Sequence, residues 1–368
     1  DLNGDGKDDL VWTTPWHPAT GATTDLAVVL GNASIAAVTP THYTVPSGSS
    51  RLWDNLVADF NGDGIDDIFF AGFTDAPGTT DNASTAFISN PGHAHTQVTV
   101  SGLSWSHGIV AVDFDLDGDL DVLNAAGRAW INDGQGNFTF KAYSDFPGGS
   151  GVCAGDFENN GKVQIVLTDA YDGLIDNYIV EYSNGAWTKR YTLPTPVLDK
   201  FNTSLIDEYS HDVSCAVGDL DNDGKKDIVV ISANNSPQVR AGTQLHGTQV
   251  QIYRNLGNMS FEDATSTDGI PYQTIHSTYT PRLIDFNNDG RLDLWLMNID
   301  WQGVTANQVW LNQGNTSFKQ ARASDINNLS TTAIMLPLLQ NGRWNIFSAE
   351  VSSTDVKAKL TTTQWSIQ

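Results

Sequence analysis

Five stretches of the chain set oxygen-bearing side chains two residues apart around a glycine. They read DLNGDGKDD from Asp1, DFNGDGIDD from Asp59, DFDLDGDLD from Asp113, DLDNDGKKD from Asp219 and DFNNDGRLD from Asp285. A weaker copy, DFENNGKVQ, starts at Asp156, and PLLQNGRWN from Pro337 keeps only the Asn-Gly turn. Positions 1, 3, 5 and 9 offer carboxylate or amide oxygens, position 7 offers a backbone carbonyl, and Gly at position 6 permits the turn that folds them inward. Such a set suits a hard cation, and calcium, with six to eight oxygen ligands and flexible geometry, suits it better than octahedral Mg²⁺.

The ligand sets follow directly. They are Asp1, Asn3, Asp5 and Asp9 with Lys7; Asp59, Asn61, Asp63 and Asp67 with Ile65; and Asp113, Asp115, Asp117 and Asp121 with Asp119. The fourth copy offers Asp156, Glu158 and Asn160 with Lys162, but has Gln164 at position 9. The last two sets are Asp219, Asp221, Asp223 and Asp227 with Lys225, and Asp285, Asn287, Asp289 and Asp293 with Arg291. Calcium is expected at four loops (those from Asp59, Asp113, Asp219 and Asp285) and at up to six if the first and fourth also load. An EF-hand needs a bidentate Glu at position 12 between two helices. Here position 12 is Trp12, Phe70, Asn124, Val230 or Leu296, and strand-like runs follow.

The elements that must hold these loops are β-strands. Short β-branched and aromatic runs precede the loops, as at Leu56-Val57-Ala58, Ile109–Val112 and Cys215-Ala216-Val217. Others follow them, as at Ile68-Phe69-Phe70, Ile228-Val229-Val230 and Leu294-Trp295-Leu296. A second hairpin recurs as AWINDGQGNFTF (129–140), IYRNLGNMSF (252–261) and VWLNQGNTSF (309–318). Each repeat is therefore strand, acidic loop, strand, strand, Asn/Gly turn, strand. The copies recur roughly every 55 residues, enough for four strands and their turns. The reading is all-β: one seven-bladed β-propeller over residues 1–368, with repeat loops starting near 1, 59, 113, 156, 219, 285 and 337. Residues 359–368 are a candidate strand either of the first blade, which lacks an inner strand ahead of Asp1, or of the last.

This pattern resembles the FG-GAP/VCBS repeat family, found in integrin α-subunit heads, fungal lectins and secreted bacterial proteins. The likeness lies in the calcium loop and blade rather than in the Phe-Gly and Gly-Ala-Pro signatures. It implies a secreted or cell-surface calcium propeller that recognises carbohydrate or glycoprotein.

Composition agrees with that class and excludes others. The 368 residues carry a formal net charge of −24, which opposes nucleic acid and anionic membranes. No apolar run is long enough for a spanning helix, so membrane insertion is not expected. Eleven Trp and 33 Gly suit turn-rich sheets with large rings to bury or to present to sugars.

The residues just ahead of the inner strands are the ligand-binding candidates: Arg51, Trp53, Trp105, His107, Tyr209, His211, Asp212 and Tyr279. Rings can stack on pyranose faces while His and Asp bond hydroxyls; packing between blades is the competing role for the aromatics. Trp130, Trp187 and Trp310 are expected in third strands as blade core. A polysaccharide lyase is the enzymatic alternative, with His107 or His211 as base and Arg51 or Arg282 neutralising a uronate. Protein adhesion within a larger surface assembly is a third. The spacing names no catalytic residue. Cys153 and Cys215 lie three and four residues before their loops, on opposite strand faces, which leaves a disulfide and two buried thiols both open.

Overall fold

A computed structural model describes residues 1–13, 25–30, 41–44, 52–72, 84–90, 94–102, 108–168, 177–194, 210–234, 247–265, 270–271, 279–298, 307–321, 334–340, 343–350 and 359–364. The described residues are all-β and fall into two compact units. One comprises Asp1–Ser144 and Ala333–Ser366, the other Asp145–Thr332 and Ile367–Gln368.

The first unit holds four antiparallel sheets. The first sheet is β1 (Leu10–Thr13), β2 (Asp25–Val29) and β3 (Thr41–Thr44). The second is β4 (Leu52–Ala58), β5 (Asp67–Gly72), β6 (Ser84–Asn90) and β7 (Ala94–Val100). The third is β8 (Ile109–Val112), β9 (Asp121–Asn124), β10 (Arg128–Asn132) and β11 (Phe138–Ala142).

The second unit holds three four-stranded sheets. The fourth sheet is β12 (Gly151–Gly155), β13 (Gln164–Thr168), β14 (Tyr178–Ser183) and β15 (Ala186–Thr192). The fifth is β16 (Ser210–Gly218), β17 (Asp227–Asn234), β18 (Gly247–Gly257) and β19 (Ser260–Asp263). The sixth is β20 (Tyr279–Ile284), β21 (Asp293–Asn298), β22 (Gln308–Gly314) and β23 (Ser317–Gln320). The seventh, in the first unit, is β24 (Ile334–Gln340), β25 (Arg343–Glu350) and β26 (Lys359–Gln364). Lys359–Gln364 thus pairs with β25, as a strand of the last sheet, with Ala349 opposite Leu360.

Every sheet is a simple meander, and the acidic loops of sheets two to six join the first strand to the second. The second strands of sheets two to six are apolar with little alternation because both of their faces are covered. In β17, Ile228 and Val230 pack with Cys153, Phe157, Val166 and Ile179 of the fourth sheet. Their neighbours Val229 and Ile231 pack with Leu294, Leu296 and Trp310 of the sixth. In β5, Ile68 and Phe70 join Leu2 and Val28, while Phe69 and Ala71 join Val122 and Trp130. Consecutive side chains therefore serve opposite interfaces, each large one stabilising by about 1.5–3 kcal/mol. Trp130 and Trp310 are buried in third strands as expected, whereas Trp187 is buried on the fourth strand β15, four residues beyond the β14 end.

The same face-to-face packing decides the cysteines. Cys153 on β12 and Cys215 on β16 form a disulfide, with Cα atoms 5.8 Å apart. Residues on opposite faces of their own strands are the ones that meet when two sheets stack, so the offset favours the bond. It closes a segment of 62 residues, for which unfolded-state entropy gives about 4 kcal/mol and practice about 2–4 kcal/mol. Reduction, or the Cys153→Ala/Cys215→Ala pair, is expected to lower Tm by about 5–10 °C, read by calorimetry with and without reductant.

Candidate metal loops

The six acidic loops share one backbone. Position 4 is left-handed in each, at Gly4, Gly62, Leu116, Asn159, Asn222 and Asn288, and so is the Gly at position 6. This winding lets the position-1 carboxylate accept from the position-5 and position-6 amides. Asp219 accepts from Asp223 N (3.1 Å) and Gly224 N (2.9 Å); Asp285 accepts from Asp289 N (3.1 Å) and Gly290 N (2.9 Å). Asp59, Asp1 and Asp156 do the same. Asn61 and Asn287 at position 3 each accept from position 5 and donate Nδ2 to its carboxylate. Asn3 and Asp221 accept likewise. The position-7 amide of Lys7, Ile65, Asp119, Lys162, Lys225 or Arg291 donates to position 5 in all six.

In two of the loops carboxylate oxygens converge. Single oxygens of Asp113, Asp115 and Asp117 lie within 4.8 Å of one another, as do those of Asp219, Asp221 and Asp227. The third loop has the strongest need of a cation. It carries five aspartates, and Asp113 Oδ1 and Asp121 Oδ2 are buried with no hydrogen-bond donor among the described residues. Its donors are hard oxygens, so these residues fit calcium. In the first, fifth and sixth loops the position-7 side chain (Lys7, Lys225 or Arg291) pairs with position 5.

Position 9 does a second job that its ligand-like spacing hides. Asp67, Asp227 and Asp293 are fully buried, and each carboxylate bridges its own loop and the third strand. Oδ2 accepts from the position-2 amide, Phe60, Leu220 or Phe286, at 2.8–2.9 Å. Oδ1 accepts from a third-strand amide, Ser89, Asn255 or Asn312, at 2.7–2.9 Å. Asp9 likewise takes Leu2 N at 2.6 Å, and Asp121 takes Asn132 N at 2.9 Å. Three third-strand asparagines then reach the preceding sheet. Asn132, Asn255 and Asn312 donate Nδ2 to the carbonyls of Phe60, Phe157 and Leu220 at 2.7–2.9 Å. Their shared place in WIND, YRN and WLN was the available signal, and it reads locally as turn chemistry.

Burial dominates the acidity of position 9. It pushes Asp67 and Asp227 up to about 6 and Asp121 to about 8, against the hydrogen bonds that favour the anion and together with repulsion from neighbouring aspartates. Asp293 is raised by the same causes. An unfolded aspartate titrates near 3.8. Between about pH 4 and 8 the metal-free folded chain therefore holds more protons than the unfolded chain, and its stability falls as pH rises. In EDTA the urea midpoint is expected to be higher at pH 5 than at pH 8. In excess calcium this slope is expected to flatten or reverse, because metal affinity grows as the carboxyls lose protons.

Among the ligand-binding candidates, Arg51, Trp105, His107 and Tyr209 lie outside the described residues. Trp53, His211, Asp212 and Tyr279 lie within the first strands β4, β16 and β20, at the ends remote from the acidic loops. Register breaks fall between Leu52 and Asp54 and between Asp212 and Ser214.

These repeated antiparallel meanders, five of them four-stranded and carrying an acidic loop between the first two strands, define a β-repeat protein. A family model described as FG-GAP-like repeat matches residues 1–70, 59–123 and 219–296, and the chain belongs to that family. None of the curated proteins matches it in sequence. Among solved structures, a putative 6-phosphogluconolactonase from Bacteroides uniformis is similar, with 13% identity, TM-score 0.50, and coverage of 87% of this chain and 82% of that one. The V. cholerae biofilm matrix protein Bap1 matches at 15% identity and TM-score 0.33, covering 98% of this chain and 66% of that one.

Proposed function

We propose that the chain is an extracellular binding module: one seven-bladed β-propeller over residues 1–368, stabilised by calcium and recognising carbohydrate or glycoprotein. The observation that carries the calcium reading is the pair of buried, donorless oxygens on Asp113 and Asp121 inside a five-aspartate loop. Leaving a buried carboxylate oxygen unpaired is costly, and a divalent cation removes the cost. The ring is supported by the recurrence of one meander with one loop at one place. The Cys153–Cys215 disulfide supports an oxidising compartment.

Recognition is assigned to the loop-distal ends of the first strands. Bulges are frequent beside binding sites, and two register breaks fall at Trp53 and beside Asp212. The test is binding of the calcium-loaded protein to a glycan and polysaccharide array, with EDTA as control. Saturable binding to a defined sugar that weakens in Trp53→Ala or His211→Ala supports the reading. Absence of binding to every sugar would transfer the role to protein adhesion.

A further inference from the structure

The fourth loop has the family backbone and the wrong donors. Asp156 accepts from Asn160 N at 3.0 Å and Gly161 N at 2.7 Å, as in its relatives. But position 5 is the neutral Asn160, and position 9 is the neutral, fully buried Gln164. Gln164 keeps half of the aspartate's task, since its Oε1 accepts from Phe157 N at 2.9 Å. Its Nε2 donates to Glu181 Oε2 at 3.0 Å, where an aspartate would present a second oxygen. Three charged side chains complete the arrangement. Arg190 Nη1 lies 2.6 Å from Glu181 Oε2, and its Nη2 lies 3.2 Å from Glu158 Oε2, the position-3 ligand candidate.

A backbone irregularity delivers that guanidinium. On β15, Tyr191 pairs with Ile179 and Lys189 with Val180, so Arg190 is the extra residue of a bulge. Bulges bend a strand and redirect one side chain. The corresponding pair of strands in the third sheet runs through without one.

We infer that Arg190 is a resident cation standing in for the metal: the fourth loop binds no calcium, and the Glu158–Arg190–Glu181 arrangement holds it folded at any calcium concentration. The inference rests on the calcium reading of the other loops. It gives the fourth loop a role as a metal-independent anchor. Asn159 Nδ2 donates to the Gly224 carbonyl of the fifth loop at 2.9 Å, and Asn222 repeats the link to Gly290 of the sixth at 3.1 Å. Asn255 and the disulfide tie the same two sheets. The fifth loop thus keeps fixed neighbours while it is empty, which favours reloading.

Hydrogen exchange by mass spectrometry on the whole chain tests this, in calcium and in EDTA. In the wild type, segments 113–121 and 285–293 are expected to exchange on the order of tenfold faster in EDTA, while 156–164 is unchanged. In Arg190→Gln, 156–164 is expected to exchange on the order of tenfold faster in both conditions, with no rescue by calcium. Loss of protection at 156–164 in wild-type EDTA to the same extent as at 113–121 would overturn the inference. So would an Arg190→Gln protein whose 156–164 segment stays protected. If no loop responds to EDTA, the calcium reading of the other loops fails, and with it the stand-in role. An Arg190→Gln effect that persists then records an ordinary ion pair.

Discussion

Chelation with EDTA is expected to lower the calorimetric Tm by about 10–20 °C, with Mg²⁺ failing to restore it and calcium restoring it fully. A ligand held at a hundred times its Kd stabilises by about 2.7 kcal/mol per site. The unit of residues 145–332 contains two loops with a full acidic set, from Asp219 and Asp285, which gives roughly 5 kcal/mol. The other unit contains three, including the third loop, where Asp113 Oδ1 and Asp121 Oδ2 have no hydrogen-bond partner among the described residues. Repulsion adds to the effect: the Asp115 pKa is raised first by burial and then by the charges of Asp117 and Asp113, with the Asp117 amide and Lys141 opposing. Asp117→Asn should shrink the calcium-dependent part of the shift without altering Tm in EDTA downward, since it removes charge rather than packing. An identical Tm in calcium and EDTA would sink the metal reading altogether.

Much of this was legible in the sequence because the repeat writes the same information several times. The loops announce themselves by spacing, and the strands by Ile68-Phe69-Phe70, Ile228–Ile231 and Leu294-Trp295-Leu296. What stayed hidden depends on pairs of sheets. The Cys153–Cys215 offset looks wrong for neighbours within one sheet and is right for sheets stacked face to face. Arg190 is a lone arginine in a run of polar residues until the bulge brings together positions 158, 181 and 190. The asparagines at 132, 255 and 312 look like turn residues because their partners lie 72 to 98 positions away. Local pattern reports a strand and a loop; it does not report which backbone carbonyl of the previous sheet an amide will find.

The position-9 aspartates should also matter when no metal is present, and Asp293→Asn separates the two roles. The native carboxylate accepts two buried amides, Phe286 N at 2.9 Å and Asn312 N at 2.8 Å. An asparagine has one acceptor oxygen on that side chain, so its Nδ2 would face a second N–H donor where an acceptor is required. One buried amide loses its partner and another donor is added beside it, at a cost of about 2–4 kcal/mol. The charge removed offsets part of this at pH 8, because burial already disfavours the Asp293 anion. The loss should therefore be larger at pH 8 in calcium, where ligand and staple are both removed, than in EDTA, where only the staple is. In the fourth loop an amide is tolerated because Gln164 is one carbon longer and its Nε2 reaches Glu181 Oε2 instead of an N–H. Urea unfolding of Asp293→Asn in EDTA decides the point. A midpoint equal to wild type would mean that position 9 serves the metal alone; a midpoint lower by the equivalent of about 2 kcal/mol would establish the carboxylate as a structural bridge between the second strand's loop and the third strand.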